Sequence, residues 1–346
     1  MAYFLFVLFL TIINLTKGEP IVPALFIFGD SIVDVGNNNN LFTAVKSNFF
    51  PYGRDFLNHS PTGRFSNGKL VVDLASELIG FASYQPAYLN LNFEENNILN
   101  GVNFASAASG YLDSTATLTH VVSLSQQLEY FKDCQNKLVK IVGQANATSI
   151  LSGAAYFLVA GSVDFVLNYY MNPVQEKIYT PYQFSNILLE CYTNFIRNLY
   201  ESGARKVGVA SLPPIGCLPI IISFFGFQNT CVENINKVAI DFNGKLDITS
   251  KKLQNMLPGL KLVIFDTFQP LYELITRPTD YGFFEARKAC CGTGVLEVAI
   301  ICNPMSVGTC VNASRYVFWD SFHPTEATNK VLMDRLTPIV MSLLLP

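Results

Sequence analysis

A serine near the start of the chain and an aspartate–histidine pair near its end are the residues best suited to catalysis. Ser31 follows an apolar run in Phe28-Gly29-Asp30-Ser31, and Asp320 precedes His323 by three residues. A serine hydroxyl is a weak nucleophile, and it needs a base, usually a histidine that a carboxylate orients. The three residues therefore predict nucleophilic catalysis, with Ser31 as nucleophile, His323 as general base and then acid, and Asp320 as orienter.

The histidine count narrows the search for the base. The chain has only three histidines; His59 lies in a polar loop, and His120 has no acidic neighbour. His323 is followed by Pro324, which suits the first turn of a helix and would fix the turn that carries the pair. Taken alone, Ser31 and the aspartate of the pair have a simpler interpretation as helix caps. The sequence contains no G-x-S-x-G motif, so the nucleophile elbow of the α/β-hydrolases is not the arrangement we expect.

The elements that must position these residues alternate along the chain. Short apolar runs bounded by Gly, Pro or Asp predict buried strands at Ala24–Phe28, Gly101–Ala105, Tyr156–Ala160, Val207–Ala210 and Leu260–Phe265. Helical periodicity lies between them, over Gly68–Ile79, Leu124–Val142, Pro181–Ser202 and Val232–Met256, and again over residues 324–344. This alternation predicts a parallel sheet covered on both faces, in one α/β/α domain over residues 19–346. Reactive residues of such sheets gather at the carboxyl ends of the strands, where Ser31 stands.

The composition favours a well-packed globular protein and lacks the features of a nucleic-acid binder. Half of the 346 residues are hydrophobic and only 14% are charged, against about 25% in a typical domain. The formal net charge is −3, and the sequence has no dense run of Lys and Arg. The positive surface that nucleic acids require is therefore not expected.

The N-terminus predicts export. Residues 2–15 are almost wholly apolar, and a polar break begins at Lys17. The apolar run is shorter than the roughly 20 residues of a membrane-spanning helix, so residues 1–18 are interpreted as a signal peptide cleaved after Gly18. A buried N-terminal strand or helix is the alternative. The apolar C-terminus is shorter still and is interpreted as a docking helix, so we expect a secreted, extracellular protein with no stable membrane anchor.

The cysteines and the sequons agree with export. The chain has eight cysteines, an even number that suggests disulfide bonds whose pairing the sequence leaves open. It has no C-x-x-C pair, so a structural zinc site is not expected. Asn58, Asn146 and Asn312 each begin an N-x-S/T sequon and are candidate glycan sites.

Several ordered blocks resemble the GDSL esterase/lipase family of plants, within the SGNH hydrolase superfamily. The similarity extends over essentially the whole mature chain and is carried by Phe28-Gly29-Asp30-Ser31 with Asp34, Gly63–Gly68, Gly101–Ser106, Gly161-Ser162-Val163-Asp164, the cysteine-rich Cys290–Gly294 and Cys302–Pro304, and Asp320–Pro324. The resemblance implies a three-layer fold with a flavodoxin-like parallel sheet. It assigns Ser31, His323 and Asp320 the roles given above, and it implies no metal and no cofactor.

The family's oxyanion hole differs here at two positions. The resemblance implies donors from the backbone N–H of the nucleophile, from a glycine of the second block, which contains Gly101–Ser106, and from an asparagine of the third block, Gly161–Asp164. This sequence has Ala107 and Ala108 where Gly-Gly is usual, and Val163 where the asparagine is usual. An alanine at positive φ is strained, so Gly110 is an alternative donor to the N–H of Ala108. The remaining candidates are the Ser31 N–H and the Ser162 hydroxyl, and we expect a working but slow enzyme.

The function that follows is hydrolysis of carboxylic esters, of acyl lipids or of smaller acyl or acetyl esters, through an acyl-Ser31 intermediate. Two alternatives use the same residues: acyl transfer to another hydroxyl, and deacetylation of a cell-wall polysaccharide. A third is a weakly active extracellular lipid- or glycan-binding protein, because Val163 donates no hydrogen bond.

Overall fold

A four-stranded parallel sheet forms the centre of the protein, whose computed structural model describes residues 19–90 and 95–345. The predicted signal peptide lies outside the described residues. The strands are β1 (Leu25–Gly29), β2 (Ala155–Val159), β3 (Lys206–Ala210) and β4 (Lys261–Phe265), adjacent in that order. Each begins or ends within one residue of its predicted position.

The predicted strand Gly101–Ala105 does not form a continuous strand. The segment runs beside β1, where the Phe104 N–H donates to the Ile27 carbonyl, but it makes only isolated bridges. The Asn103 side chain accepts the Ala105 N–H and so takes one donor from the ladder. With this segment counted at the edge next to β1, the order of the sheet matches the flavodoxin-like arrangement.

The helices occur mostly where the periodicity predicts them. They are α1 (Val71–Ile79), α2 (Asp113–Thr117), α3 (Leu124–Gly153), α4 (Pro173–Ile178), α5 (Pro181–Glu201), α6 (Pro219–Phe225), α7 (Glu233–Met256), α8 (Phe268–Thr276) and α9 (Glu326–Leu344). The periodicity misses α2, α4, α6 and α8, all of which have nine residues or fewer. It also stops α3 early, because Gly143 breaks the helical dihedral angles inside the element.

Two apolar cores cover the two faces of the sheet and give three layers. Phe26, Phe28 and Tyr156 pack with residues of α3, α5 and α7 on one face. Leu25 and Phe157 lie on the other face, where residues of α1 and α9 cover them. The C-terminal helix α9 thus docks on the sheet, and none of the helices in residues 19–90 and 95–345 is long and apolar enough to cross a membrane. The α/β/α prediction is confirmed.

A second sheet, of two short strands, directly precedes the Asp320–His323 turn in the chain. Strands β5 (Glu285–Ala289) and β6 (Tyr316–Phe318) pair in parallel, and neither was predicted. The loop between them contains the disulfides Cys290–Cys310 and Cys291–Cys302. A third disulfide joins Cys217 to Cys231, whereas Cys134 and Cys191 are free thiols.

Candidate active site

Ser31, His323 and Asp320 form one buried hydrogen-bonded chain. The Ser31 Oγ lies 2.6 Å from the His323 Nε2. The other ring nitrogen, Nδ1, lies 2.7 and 2.8 Å from the two carboxylate oxygens of Asp320. All three residues are at most 4% exposed. Ser31 and His323, which are 292 residues apart in the sequence, thus meet in the geometry that a serine nucleophile and its base require.

Ser31 is held at the carboxyl end of β1 by a tight backbone junction. Gly29 has a φ of 137°, and a Cβ there would lie 1.9 Å from the Val159 carbonyl oxygen on the neighbouring strand. The Gln127 side chain, from α3, accepts the Gly29 N–H and donates to the Gly29 carbonyl, each at 2.9 Å. The Asp30 carboxylate accepts the Ile32 N–H at 3.0 Å. These contacts fix the backbone on both sides of Ser31.

Asp320 accepts hydrogen bonds from its own turn and from a distant tyrosine. The N–H groups of Phe322 and His323 donate to Oδ1 at 2.9 and 2.8 Å. The Tyr52 hydroxyl donates to Oδ2 at 2.7 Å and itself accepts the Ala299 N–H at 2.9 Å. Burial, together with the neighbouring Asp320 charge, raises the pKa of Tyr52 well above its ordinary value, so the hydroxyl stays a donor. The carboxylate therefore has fixed partners for both oxygens.

Aromatic rings enclose the imidazole. The rings of Phe65 and Phe322 lie 5.0 and 5.2 Å from the His323 ring, centre to centre. The backbone N–H of Trp319 donates to the His323 carbonyl at 2.7 Å, which closes the turn that carries the pair. The ring can therefore rotate little, and its Nε2 stays directed at Ser31.

The second-block segment lies beside the nucleophile strand, and Ala108 adopts the backbone that the sequence suggested would be strained. Its φ is 67°, in the left-handed region. The Ser106 N–H donates to the Gly29 carbonyl at 3.0 Å, so the segment lies against the end of β1. Within the part of the chain that the structure describes, the N–H groups of Ser31 and Ala108 have no acceptor. Both are therefore available to a ligand.

Gly110 and Asp164 form a separate contact. A Cβ at Gly110 would lie 2.3 Å from a carboxylate oxygen of Asp164, so the absent side chain makes room for that group. Asp164 accepts the N–H groups of Tyr111 and Leu112 and the Thr115 hydroxyl. Gly110 thus lets the second and third blocks approach closely.

The third block brings no side-chain donor at position 163. Val163 is 2% exposed and belongs to the apolar core, and it directly precedes a π-helical segment over Asp164–Tyr170. Ser162 is 6% exposed and lines an apolar cavity that also touches Ile32. Ser162 therefore lines the same cavity as the residue that follows Ser31, whereas the Val163 side chain packs in the apolar core.

Two buried carboxylates, those of Asp30 and Asp34, lie in the loop that follows β1 and contains Ser31. Desolvation raises the pKa of Asp30 to about 7, and one of its carboxylate oxygens, Oδ2, has no partner among the described residues. Burial also raises the pKa of Asp34 to about 6, against the hydrogen bonds it accepts from Gly36, Ala107 and Asn37. These acids are structural: Asp34 ties the nucleophile loop to the second block.

The remaining candidates lie apart from the chain of three. His59 and His120 are exposed, and the Nδ1 of His59 contacts the Arg54 carbonyl. The sequon residues Asn58, Asn146 and Asn312 are exposed as well. Sequence reasoning did not find Tyr52 or Gln127, which lie 268 and 98 residues from their partners in the chain. No local motif marks such contacts.

Comparison with known proteins assigns the family. The model of the GDSL-like lipase/acylhydrolase family matches residues 25–336. In Arabidopsis thaliana, GDSL esterase/lipase At5g22810 is 54% identical over 95% of this chain and 92% of its own length. GDSL esterase/lipase At5g03810 is 54% identical over 92% and 91%, and GDSL esterase/lipase APG is 51% identical over 94% and 92%, respectively. The expected family is thus confirmed: the chain belongs to the GDSL lipase/acylhydrolase family and is a carboxylic ester hydrolase.

Proposed function

We propose that this hydrolase cleaves acyl or acetyl esters through an acyl-enzyme on Ser31, with His323 as general base and acid and Asp320 as orienter. The observation that carries the proposal is the continuous contact from the Ser31 Oγ through both nitrogens of His323 to Asp320. Because Nδ1 faces a carboxylate, its proton stays there, and Nε2 is free to accept the serine proton.

The chemistry proceeds in two balanced steps. Ser31 Oγ bonds to the ester carbonyl carbon while its proton moves to His323 Nε2, and the carbonyl oxygen becomes an oxyanion. Collapse of this adduct breaks the bond to the alcohol, which leaves with the proton from Nε2. Water then gives a proton to Nε2 and bonds to the acyl carbon, and Ser31 recovers that proton as the carboxylic acid departs.

The oxyanion needs donors, and the N–H groups of Ser31 and Ala108 are the best candidates. Both lack an acceptor in the described residues, and the left-handed backbone at Ala108 is the conformation a glycine would adopt. The Ser162 hydroxyl is a third candidate. Gly110 is a weaker one, because its role in packing against Asp164 explains the glycine by itself. A valine at position 163 supplies no donor, so a slow rate is expected, since one such donor is worth roughly 100- to 1,000-fold in rate.

The test measures p-nitrophenyl acetate and butyrate hydrolysis by wild type and Ser31→Ala. Loss of the nucleophile should reduce kcat by roughly 10⁵-fold or more, to the background rate. Ser47→Ala is a matched control, because Ser47 is also buried and its hydroxyl has no partner in the described residues. A fluorophosphonate should label wild type and Ser47→Ala but not Ser31→Ala. Equal turnover by wild type and Ser31→Ala would contradict the proposal.

We further propose that the mature chain, residues 19–346, is a single domain that is exported and glycosylated. The apolar residues 2–15, the three disulfides and the exposed sequons support this, since disulfides persist in oxidising compartments. Expression of the full chain in a eukaryotic host should give a secreted protein that begins at Glu19 and loses mass on N-glycosidase treatment. Retention in the cell with Met1 intact would contradict export.

A further inference from the structure

An apolar cavity of about 90 Å³ lies between the sheet and the helices α1 and α9. Ile32, which follows Ser31, lines it, and so do Phe322 and Pro324, the two neighbours of His323. The cavity is therefore bordered by the chain neighbours of both reacting residues. Packed interiors contain few voids larger than a water molecule, so an opening of this size at this place is unusual.

The walls of the cavity suit a hydrocarbon. Aliphatic and aromatic side chains make up most of the lining, and no charged residue belongs to it. The polar side chains are those of Ser162, Ser211, Thr267 and Asn329. The Ser211 hydroxyl accepts the Thr267 N–H at 3.0 Å, and Asn329 donates to the Lys69 carbonyl at 2.9 Å. Three of the four polar side chains thus already have partners within the protein, and among the described residues the Ser162 hydroxyl has none, so most of the lining does not require a polar ligand.

The shape of the cavity limits the length of its occupant. The lining follows α9 from Leu332 through Leu336 to Val340, which is eight residues or about 12 Å of helix. An extended carbon chain advances about 1.2 Å per bond, so this length corresponds to about ten bonds. Leu332, Leu336 and Val340 are spaced four residues apart and so lie on one face of α9, where they form an apolar wall that suits an unbranched chain.

We propose that this cavity is the acyl-chain site, and that the enzyme prefers esters of unbranched aliphatic acids of medium length, up to about ten carbons. The inference rests on the proposed acyl-Ser31 mechanism, because it places the acyl carbon at Ser31 and the chain beyond Ile32 and Phe322. The cavity walls remove the acyl chain from water, and each buried methylene contributes to binding. Esters whose chains fill the cavity are therefore preferred to shorter ones.

The test compares kcat/KM for p-nitrophenyl acetate, octanoate and palmitate. Wild type should prefer octanoate to acetate by at least about tenfold, as burial of several methylenes allows, and palmitate should be poor because it exceeds the cavity. Leu336→Trp should fill the space and abolish most of this preference, so that the ratio of kcat/KM for octanoate to that for acetate falls toward one. Leu336→Ala should instead move the optimum toward dodecanoate. The ratio of the two kcat/KM values does not depend on the folded fraction, so partial misfolding does not obscure the result.

Leu343→Ala is the matched control. Leu343 is also a buried leucine of α9 but does not line the cavity, so this variant should lose stability and keep the chain-length profile. A Ser31-dependent enzyme whose octanoate-to-acetate ratio is unchanged by both Leu336 variants would overturn the acyl site and leave the proposed mechanism standing. A clear preference for an aromatic acyl ester would also overturn it.

A binding measurement separates the two proposals further. Decanoic acid should raise the Tm of Ser31→Ala, which cannot turn over, and the shift should disappear when Leu336→Trp is added. Wild type that is inert on every ester while decanoic acid still binds would remove the mechanism and keep the cavity as a lipid site only. Absence of both turnover and the Tm shift would overturn both.

Discussion

The two sides of Ser31 are built in different ways. On the base side, both oxygens of Asp320 have fixed donors, and aromatic rings enclose His323. On the side proposed to hold the oxyanion, called the oxyanion side below, an alanine occupies a left-handed backbone position and the Val163 side chain offers no donor. The base side depends on particular side chains and tolerates no replacement of them. The oxyanion side depends partly on backbone N–H groups, which every residue except proline provides.

That difference explains how the site can depart from the family pattern on one side only. Replacement of a second-block glycine by Ala108 leaves the N–H in place and costs backbone strain. Replacement of the third-block asparagine by Val163 removes a donor outright. We therefore expect substitutions on the base side to destroy activity, and substitutions on the oxyanion side to adjust the rate or the stability.

Among substitutions on the two sides of Ser31, the largest expected effect is that of Asp320→Asn. An asparagine oxygen can no longer hold a proton on Nδ1 as the carboxylate does, so the imidazole proton shifts toward Nε2 and the ring cannot accept the serine proton. The equivalent change lowers kcat by about 10⁴-fold in serine proteases, and we expect a comparable loss on p-nitrophenyl butyrate. Ser321→Ala is the control, because its buried hydroxyl has no partner in the described residues. A loss of tenfold or less in Asp320→Asn would break the contrast between the two sides.

Val163→Asn is expected to act in the opposite direction. An added amide near the oxyanion should raise kcat by about 10- to 100-fold, less than the full value of a native donor, because the surrounding side chains are arranged for valine. Val163→Ala removes methyl groups without adding a donor, so it should show no gain. Steady-state kcat on a short-chain ester measures both. If the kcat of Val163→Asn does not exceed that of wild type, the backbone N–H groups already stabilise the oxyanion sufficiently without a side-chain donor at position 163.

Sequence alone predicted the three residues that the structure joins in one hydrogen-bonded chain, because each stands in an informative local pattern. Ser31 follows a buried strand, and Asp320 and His323 share one turn. The supporting contacts have no such pattern. Tyr52 reaches Asp320 across 268 residues, and only tertiary packing brings the two together. The short strands β5 and β6 were missed for the same reason, since the disulfide-linked loop and the Asp320 turn set their positions more than residue propensity does.

Tyr52→Phe tests the base side further, because it removes the hydroxyl that donates to the Asp320 carboxylate. Without the hydroxyl, the Asp320 carboxylate keeps more of its negative charge, which stabilises the protonated imidazole. The acid limb of the pH profile of kcat/KM should therefore move to higher pH, with kcat at its plateau lowered by about three- to tenfold. A merely structural role would lower the Tm without moving the profile. Tyr84→Phe, at a tyrosine that donates to the exposed Glu77, is the control and should leave the profile unchanged.

Asp30→Asn tests how the burial of the Asp30 carboxyl group affects the stability of the folded protein. The pKa of Asp30 is raised from 3.8 to about 7 in the folded protein, so between these values the folded state binds more protons than the unfolded state. Stability should therefore fall as the pH rises through this window and level off above it. In Asp30→Asn that contribution disappears, so the Tm of the variant relative to wild type should rise between pH 4 and pH 8. Asp334→Asn, at an exposed carboxylate, should follow wild type. A constant Tm difference for Asp30→Asn would contradict the raised pKa.

Ala108→Gly should have the smallest effect, and it isolates the strain on the oxyanion side. Glycine adopts a φ of 67° without the Cβ clash that alanine pays. The variant should therefore be more stable by about 0.5–1 kcal/mol in urea unfolding, although glycine adds entropy to the unfolded chain. Ala107→Gly is a matched control, because Ala107 is buried, adjacent and at ordinary φ, and should lose about 1 kcal/mol instead. Because the Ala108 N–H remains after the change, kcat should stay within about threefold of wild type. A large change in kcat would mean that the backbone strain at Ala108 affects how its N–H donates to the oxyanion. The contribution of this N–H to kcat would then depend on the residue type at position 108.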